Sequence, residues 1–250
     1  MRILLLSDIH ANWAALRTIQ EPYDICLFLG DLVEYGLNPV PCIDWAMKNA
    51  HYAVRGNHDH GCAQAVEFTA NAGFRYLTTL TRPLNAQQLT EKHRRYLATL
   101  PTTRWVTIAG KTFLLVHANP HDPMDEYAPA DVDFWKKRLE GIDADYVCVG
   151  HTHMQYTLRV GRTTIVNPGS VGLPRDGDPR GGYAIMTPDE IIHRRFEYPI
   201  EEAIACVEQS SLNPTAKQML SDVYRTGRLV RRIESANGTP DSHITGAEHE

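Results

Sequence analysis

The stretch Ile3-Leu4-Leu5-Leu6-Ser7-Asp8-Ile9-His10 joins a continuous apolar run directly to a carboxylate and an imidazole. Such a run is typical of a strand that is buried on both faces of a parallel sheet. Residues i and i+2 of an extended segment point the same way, so Asp8 and His10 are expected to aim at one point. In open α/β sheets ligands gather at the carboxyl ends of the strands, where this pair would lie.

Four further polar clusters follow apolar runs along the chain in the same way. They are Gly30-Asp31-Leu32-Val33-Glu34, Gly56-Asn57-His58-Asp59, Val116-His117-Ala118 and Gly150-His151-Thr152-His153. Taken singly, each has an ordinary explanation: Gly, Asn and Asp favour turns, and a lone histidine such as His117 is commonly a core residue. Their joint occurrence favours a shared metal site instead. Asp31, alone between two pairs, is the natural bridge, because both carboxylate oxygens have lone pairs.

The ligand types indicate which ions would bind. The clusters supply imidazoles, carboxylates and an amide but no thiolate, and this set suits manganese, iron or zinc better than Ca²⁺ or Cu⁺. The sequence leaves the choice among these three open. Two such ions lying about 3.5–4 Å apart are a recurring device for phosphoester hydrolysis.

The order of the five clusters resembles the calcineurin-like metallophosphoesterase superfamily, over residues 1–198. Asn167-Pro168-Gly169-Ser170-Val171-Gly172, and the Pro174-Arg175-Asp176-Gly177-Asp178 that follows, resemble its small bacterial and archaeal phosphodiesterase-like branch. The resemblance implies an α/β fold, namely a four-layer α/β/β/α sandwich of two mixed sheets flanked by helices.

The resemblance also implies roles for individual residues. It assigns a first metal to Asp8, His10, Asp31 and His153, and a second metal to Asp31, Asn57, His117 and His151. His58 matches the residue that protonates the leaving group, and Glu34 is expected to orient it. The protein phosphatases of the superfamily carry Asp-Arg-Gly where this chain has Glu34, Tyr35 and Gly36, so their phosphate-clamping arginine is missing here.

These features predict a dinuclear metal-dependent phosphoesterase. The expected substrate is a phosphodiester, a nucleotide or a dinucleoside polyphosphate, attacked by hydroxide held between the two ions. One alternative is a protein serine/threonine phosphatase. The presence of Tyr35 in place of the clamping arginine argues against it. Another is a non-catalytic binding scaffold like the retromer subunit of this fold, but all seven carried-over ligand positions are filled.

Three arginines are candidates for binding the substrate phosphate. Arg55 precedes the Gly56-Asn57 turn, where it either reaches the site or pairs at the surface. Arg175 and Arg180 lie on a loop rich in Pro, Gly and Asp. That loop either brings a guanidinium to the phosphate or is a plain turn with salt bridges.

The composition bears on which partners the protein binds and on the cellular compartment expected for it. The 250 residues carry a net charge of -5, with 43% apolar residues, which gives no footprint for nucleic-acid binding. No run reaches the roughly 20 apolar residues of a membrane span, and the N-terminal residues lack the architecture of a signal peptide. The five cysteines are scattered and odd in number, as expected of reduced thiols in a cytoplasmic protein.

The pattern along the chain predicts three parts. Residues 1–199 form the metallophosphoesterase domain, in which 60–101 are a cap-like insertion: an irregular roof over 60–84 and one amphipathic helix over 85–100. Residues 200–235 form a C-terminal helical extension with apolar residues at helical spacing. Residues 236–250 are dominated by Gly, Pro, Ser, Thr and acids and are expected to be disordered.

Overall fold

Two five-stranded mixed sheets form the centre of the fold. The computed structural model of the chain describes residues 1–67 and 69–230, so the tail predicted over 236–250 lies outside the described residues. The first sheet contains, in spatial order, Ile191–Phe196 (β10), Gly181–Met186 (β9), Ile3–Leu6 (β1), Ile25–Phe28 (β2) and Tyr52–Ala53 (β3). The second contains Thr103–Ile108 (β4), Lys111–Val116 (β5), Tyr146–Cys148 (β6), Thr163–Pro168 (β8) and Gln155–Val160 (β7).

Helices cover the outer face of each sheet. They are Trp13–Leu16 (α1), Pro39–Asn49 (α2), Asn57–Ala63 (α3), Gly73–Gln88 (α4), Glu91–Thr99 (α5), Val132–Arg138 (α6), Ile200–Glu208 (α7) and Pro214–Thr226 (α8). Trp135 of α6 is fully buried against the second sheet, and the other helices pack on or beside the first.

The alternation of side chains along the strands builds the layers. In β1, Leu4 and Leu6 point to the helices, whereas Ile3 and Leu5 join Leu115 and other residues between the two sheets. All four β1 residues are therefore buried, which explains why that strand is apolar at every position. This arrangement is the four-layer α/β/β/α sandwich expected from the resemblance.

Parallel pairing brings the ends of several strands to one edge. β1 pairs in parallel with β2, and β2 with β3, while β5, β6 and β8 are parallel in the second sheet. The polar clusters that follow β1, β2, β3, β5 and β6 consequently lie at the same end of the sandwich.

The prediction for residues 60–100 was wrong in two respects. Most of the supposed irregular roof is helical, in α3 and α4, and the single helix predicted over 85–100 is two helices. The chain turns at Leu89, which has extended backbone, and Thr90 then caps α5 by accepting a hydrogen bond from the N–H of His93 at 3.4 Å. A capping threonine inside an amphipathic pattern ends one helix and starts another.

The two C-terminal helices pack against the sandwich. Ala203, Ile204 and Val207 of α7 are buried at helical spacing, as are Leu220 and Tyr224 of α8. The polypeptide leaves α8 through Gly227, whose φ of 64° is left-handed. Within the residues that are described, no helix has the length and apolar character needed to cross a membrane.

The end of α8 also contacts the loop after β8. The N–H of Gly177 donates a hydrogen bond to the carbonyl oxygen of Gly227 at 3.1 Å. A Cβ at position 227 would lie 2.8 Å from the carbonyl oxygen of Asp178, so the contact needs glycine there. The last described helix therefore supports the loop that carries Arg175.

Candidate metal centre

The edge where the strands end brings the predicted ligands together in two overlapping groups. Asp8, His10 and His153 form the first, and Asp8, Asp31 and His117 form the second. Asp31 Oδ2 lies 3.2 Å from His117 Nε2 and 3.7 Å from His10 Nε2, so one oxygen of Asp31 faces a histidine of each group.

The two remaining predicted ligands lie beside the second group. The ring centroid of His151 is 5.1 Å from that of His117, and the His151 N–H donates to Asp8 Oδ2 at 3.1 Å. Asn57 is the first residue of α3 and has a buried Oδ1. Gly56 precedes it and has to be glycine, because a Cβ there would lie 2.0 Å from Asp31 Oδ1.

Left-handed backbone, not extended strand, aims these side chains. Five of the predicted ligands have positive φ angles: Asp8 (53°), His10 (48°), Asp31 (66°), His151 (65°) and His153 (59°). The expectation that Asp8 and His10 converge because their segment is extended was therefore wrong in its reason, since β1 ends at Leu6. Such conformations cost about 1–3 kcal/mol each and cluster at functional sites.

Backbone carbonyls fix which ring nitrogen of each histidine faces the cluster. His10 Nδ1 donates to the carbonyl oxygen of Val33 at 3.0 Å, His117 Nδ1 to Leu29 at 2.7 Å, and His153 Nδ1 to Leu173. When such a ring is neutral, its Nε2 is left as an acceptor. His151 is reversed: its Nε2 donates to the carbonyl of Asp125 at 3.0 Å, which leaves Nδ1 as the acceptor.

The inward-facing atoms are acceptors without donors. His10 Nε2 and His153 Nε2 are 3.2 Å apart, and each carries a lone pair. Among the predicted ligands in the described part of the chain, four buried atoms have no hydrogen-bond partner: Asp8 Oδ1, Asp31 Oδ2, Asn57 Oδ1 and His117 Nε2. Facing acceptors repel one another, and a cation between them would satisfy all of them. The residues present thus fit bound metal.

Burial keeps most of these groups in the form that binds metal. It lowers the pKa of His10 and of His153, and it lowers the pKa of His151 to about 3, so these rings are neutral. Burial likewise raises the pKa of Asp8 to about 6, which leaves this carboxylate poorly stabilised without a positive partner.

The Asp31–His117 pair behaves differently. Burial opposes charge on His117, but the Asp31 carboxylate at 3.2 Å outweighs it and raises the pKa of His117 to about 10. In the metal-free protein a proton on Nε2 therefore occupies the position that an ion would take.

His58 lies at the rim of the cluster with a carboxylate behind it. Its Nδ1 is 2.6 Å from Glu34 Oε2, and its Nε2 faces inward, 3.9 Å from Asp31 Oδ2. Burial alone would lower the pKa of His58, but Asp31, Glu34 and the Glu34 hydrogen bond together raise it above its ordinary value. The arrangement can hold a proton on Nε2, directed at the cluster.

Asp59, the acid that directly follows His58 in the chain, makes no contact with the His58 ring among the described hydrogen bonds. Its carboxylate accepts backbone N–H bonds from Asp31 at 2.8 Å, Leu32 at 2.7 Å and Gly56 at 3.0 Å. It thereby joins the loops after β2 and β3, and Glu34 is the acid that contacts His58.

Of the three candidate arginines, Arg175 reaches the site. Its guanidinium lies 3.8 Å from the centroid of the Phe74 ring and donates to the hydroxyl oxygens of Tyr127 at 3.1 Å and Tyr35 at 3.4 Å. After burial, the charge of Arg175 is the largest influence lowering the pKa of His153. Its Nε is buried and has no hydrogen-bond partner among the residues described.

The other two arginines are engaged elsewhere. Arg55 donates to the carbonyl oxygen of Ala98 at the end of α5, at 3.1 Å. Arg180 is exposed and pairs with Asp178, with Nη2 2.7 Å from Oδ2. For Arg180 the plain turn with a salt bridge is the arrangement observed, and neither guanidinium is brought to the cluster by a contact within the described ranges.

The sequence reasoning missed Arg82, Phe74 and Tyr127. Arg82 Nε lies 2.5 Å from Glu34 Oε1, and the Tyr127 ring is tilted by 59° against that of His151, with ring centroids 5.1 Å apart. Arg82 and Phe74 both belong to α4, which was predicted as irregular. If this segment had been predicted as a helix, a polar face containing Arg82 would have been recognised in the sequence. The role of Arg82 was therefore missed together with the helix.

Comparison with known proteins agrees with this geometry. The sequence profile of the calcineurin-like phosphoesterase superfamily domain matches residues 1–190. A metallophosphoesterase from Sphaerobacter thermophilus is 31% identical in sequence, with a TM-score of 0.73, over 89% of this chain and 99% of that one.

Two further relatives come from archaea. An uncharacterized protein of Methanocaldococcus jannaschii is 28% identical over 241 residues, which are 84% of this chain and 93% of the relative. A hypothetical protein from Pyrococcus horikoshii superposes with a TM-score of 0.75 over 88% of this chain and 97% of that one, at 16% identity. The latter likeness concerns the fold alone.

Proposed function

The chain belongs to the calcineurin-like phosphoesterase superfamily and is a phosphoric ester hydrolase, and we propose that its substrate is a small phosphodiester, nucleotide or dinucleoside polyphosphate. The observation that carries the proposal is the cluster of buried Asp, Asn and His atoms at the strand ends, where His10 Nε2 and His153 Nε2 face each other at 3.2 Å and Asp8 Oδ1 and Asn57 Oδ1 have no hydrogen-bond partner among the described residues. We assign to it two divalent transition-metal ions, of manganese, iron or zinc.

The proposed ligands are those expected from the resemblance. Asp8, His10, Asp31 and His153 would hold one ion, and Asp31, Asn57, His117 and His151 the other. When bound, such ions lower the pKa of a water and neutralise charge on the phosphoryl oxygens.

The residues around the cluster divide the remaining work. Arg175 binds the non-bridging oxygens of the phosphate, because a guanidinium offers a planar set of donors and its Nε has no protein partner in the described chain. His58 donates the proton on Nε2 to the leaving oxygen, and Glu34 holds its Nδ1 at 2.6 Å.

The same residues favour small esters over phosphoproteins. The arginine that protein phosphatases use as a clamp is replaced by Tyr35, which is buried and whose hydroxyl is 3.4 Å from His58 Nε2. Arg175 comes from the loop after β8, donates to the hydroxyl oxygens of Tyr35 and Tyr127 and lies over the ring of Phe74.

We place the protein in the cytoplasm. Four of the five cysteines are buried and all five are free, as expected of a reducing compartment. The net charge of -5 gives no support for a nucleic-acid or membrane partner, so the proposed partner is the small phosphoester itself.

Turnover of bis(p-nitrophenyl) phosphate with added Mn²⁺ tests the activity, and a panel of nucleotides, dinucleoside polyphosphates and phosphoserine peptides tests the substrate class. We expect the highest specificity constant for a member of the first two groups. A higher value for a phosphopeptide than for every nucleotide would support a protein phosphatase. A protein that binds metal but turns over no ester would be a scaffold.

A further inference from the structure

One face of α4 is polar and turned toward the site. Thr78, Thr81, Arg82 and Asn85 recur at i, i+3, i+4 and i+7, so they lie on the same side of the helix. Thr78, Thr81 and Asn85 are buried. Each of the four makes a hydrogen bond to residues 34–36, the segment that contains Glu34 and Tyr35.

Two of the four hold the backbone of that segment. Asn85 Oδ1 accepts the N–H of Glu34 at 2.9 Å, and Thr81 Oγ1 accepts the N–H of Tyr35 at 3.0 Å. Asn85 Nδ2 also donates to the carbonyl oxygen of Gly36 at 2.8 Å. Glu34 and Tyr35 have φ angles of 70° and 58°. Two consecutive left-handed residues are unfavourable, so external hydrogen bonds are needed to keep them in place.

Arg82 holds the side chain of Glu34. Its Nε is 2.5 Å from Glu34 Oε1 and its Nη2 is 3.4 Å from Oε2, while Oε2 also accepts from His58 Nδ1 at 2.6 Å. Glu34 is completely buried, and the Arg82 side chain is 14% exposed. Both Glu34 oxygens therefore have fixed partners, and a rotation of the carboxylate would break contacts on both sides.

The surroundings of Arg82 are also adapted to it. Its Nη1 donates to the carbonyl oxygen of Val66 at 3.0 Å. Across from it, a Cβ at Gly61 would lie 2.3 Å from Nη2. The guanidinium thus lies directly against Gly61 of α3, where a larger side chain would displace it.

We propose that Arg82 is a positioning residue for the reaction: it fixes the Glu34 carboxylate so that the ring of His58 presents Nε2 to the leaving oxygen. This inference rests on the proposed function, because it takes His58 to be the proton donor. Arg82 itself is 14% exposed behind Glu34 and acts through it, without touching the substrate.

The kinetic experiment compares Arg82→Gln and Arg82→Lys with Arg75→Gln. Arg75 is an exposed arginine two turns before Arg82 in the same helix, and no hydrogen bond joins its side chain to residues 34–36 in the described structure, so its variant removes an equal charge without touching that segment. Alkyl phosphodiesters need a proton on the leaving oxygen and p-nitrophenyl esters hardly do. We expect Arg82→Gln to slow alkyl esters by about 10- to 100-fold in kcat, and p-nitrophenyl esters by less than about threefold.

Two further kinetic results are expected. Arg82→Lys should recover part of the alkyl-ester rate, since lysine keeps a charged donor but cannot donate to both carboxylate oxygens as the planar guanidinium does. In a His58→Gln background, adding Arg82→Gln should cost nothing more, because residues that act as a unit are not additive. Metal content should match that of Arg75→Gln. Equal losses for both ester classes, or a full additional loss in the double variant, would overturn the proposal.

A readout without turnover separates this inference from the proposed function. The His58 Nδ1–H in its short bond to Glu34 should give a strongly downfield proton NMR resonance, assigned by its absence in His58→Gln. The resonance should shift or broaden in Arg82→Gln and stay in place in Arg75→Gln. An unchanged resonance counts against Arg82 even if the enzyme is active. A wild-type protein that hydrolyses no ester counts against the proposed function, whatever the spectrum shows.

Discussion

His10 Nε2 and His153 Nε2 face each other at 3.2 Å, although each ring already donates its Nδ1 proton to a backbone carbonyl. Neither nitrogen can donate to the other while both rings are neutral, and burial holds both pKa values low. The contact is unfavourable in the bare protein and becomes favourable when a cation lies between the rings. It is the simplest sign that this edge of the sandwich is built for metal.

Replacement of Asp31 by alanine should remove both ions. Asp31 Oδ2 faces a histidine of each ligand group, so one substitution damages both sites. Elemental analysis after reconstitution should give close to two ions per wild-type chain and little metal in Asp31→Ala, with activity lost. Asp143→Ala, an exposed acid on another loop, is the control. Retention of one full ion by Asp31→Ala would contradict a shared role.

Metal binding should release a proton from His117 and strengthen as the pH rises. His117 has a pKa of about 10 in the metal-free protein, so it is protonated at neutral pH and must lose that proton to act as a ligand. Affinity should rise up to about tenfold per pH unit from this proton. Below about pH 6, where Asp8 also becomes protonated, the dependence should steepen.

Calorimetry in two buffers of different ionisation enthalpy measures the released protons. His117→Gln should release about one proton fewer than the wild type, since glutamine has none to lose. Identical proton release from both proteins would show that His117 is already neutral before the ion binds.

Substitution of His58 by glutamine should slow turnover by about 10²–10⁴-fold, the usual size of a general-acid contribution. Metal content should be nearly unchanged, because His58 lies outside both ligand groups. Rates for p-nitrophenyl and alkyl esters are the measurement, and the loss should shrink for the better leaving group. If the turnover rates of both esters fall by the same factor, His58 positions the substrate and does not protonate it.

Arg175→Gln should lower kcat/KM by about 10- to 100-fold, the size expected for one charge-assisted contact to phosphate. Most of the change should appear in KM, and inhibition by inorganic phosphate should weaken in parallel. Arg180→Gln provides a matched control from the same loop: it is exposed and paired with Asp178, so less than about a twofold change is expected. Similar effects of the two variants would rule out a specific role for Arg175.

Truncation after residue 199 should lower the Tm or cause aggregation. It exposes the surface that Ile204, Val207, Leu220 and Tyr224 cover, all of which are buried. A 1–235 fragment keeps both helices and should have the same Tm as the full chain. A 1–199 fragment as stable and soluble as the full chain would mean that α7 and α8 are an independent appendage.

The sandwich was predicted from the resemblance of the five clusters to the superfamily, and the gathering of the ligands from polar clusters that follow parallel strands, whose ends meet at one edge. The sequence did not predict how Asp8 and His10 are aimed. Their left-handed backbone is held by contacts distant in sequence, such as the N–H of His10 on the carbonyl of Asp31 at 3.0 Å. Local periodicity carries no information about such contacts.

The second failure concerns α4. Gly73 at its start and Pro83 in its interior are poor helix formers, so local propensity argued against a helix. Tertiary contacts outweigh propensity here: Leu77 packs in the core, and the polar face bonds residues 34–36. The same misreading concealed Arg82, whose partner Glu34 lies 48 positions earlier in the chain.

The hydrogen bond between Gly177 and Gly227 joins the end of α8 to the loop that carries Arg175, the residue proposed to bind the substrate phosphate. The family profile ends at residue 190, yet the loop that carries Arg175 is hydrogen-bonded to a residue beyond that position. The segment that the family profile covers therefore leaves out a residue that supports this loop. Given the proposed role of Arg175, we expect a partner fused directly after Thr226, or a different C-terminal helix, to change the substrate preference while every proposed metal ligand stays in place.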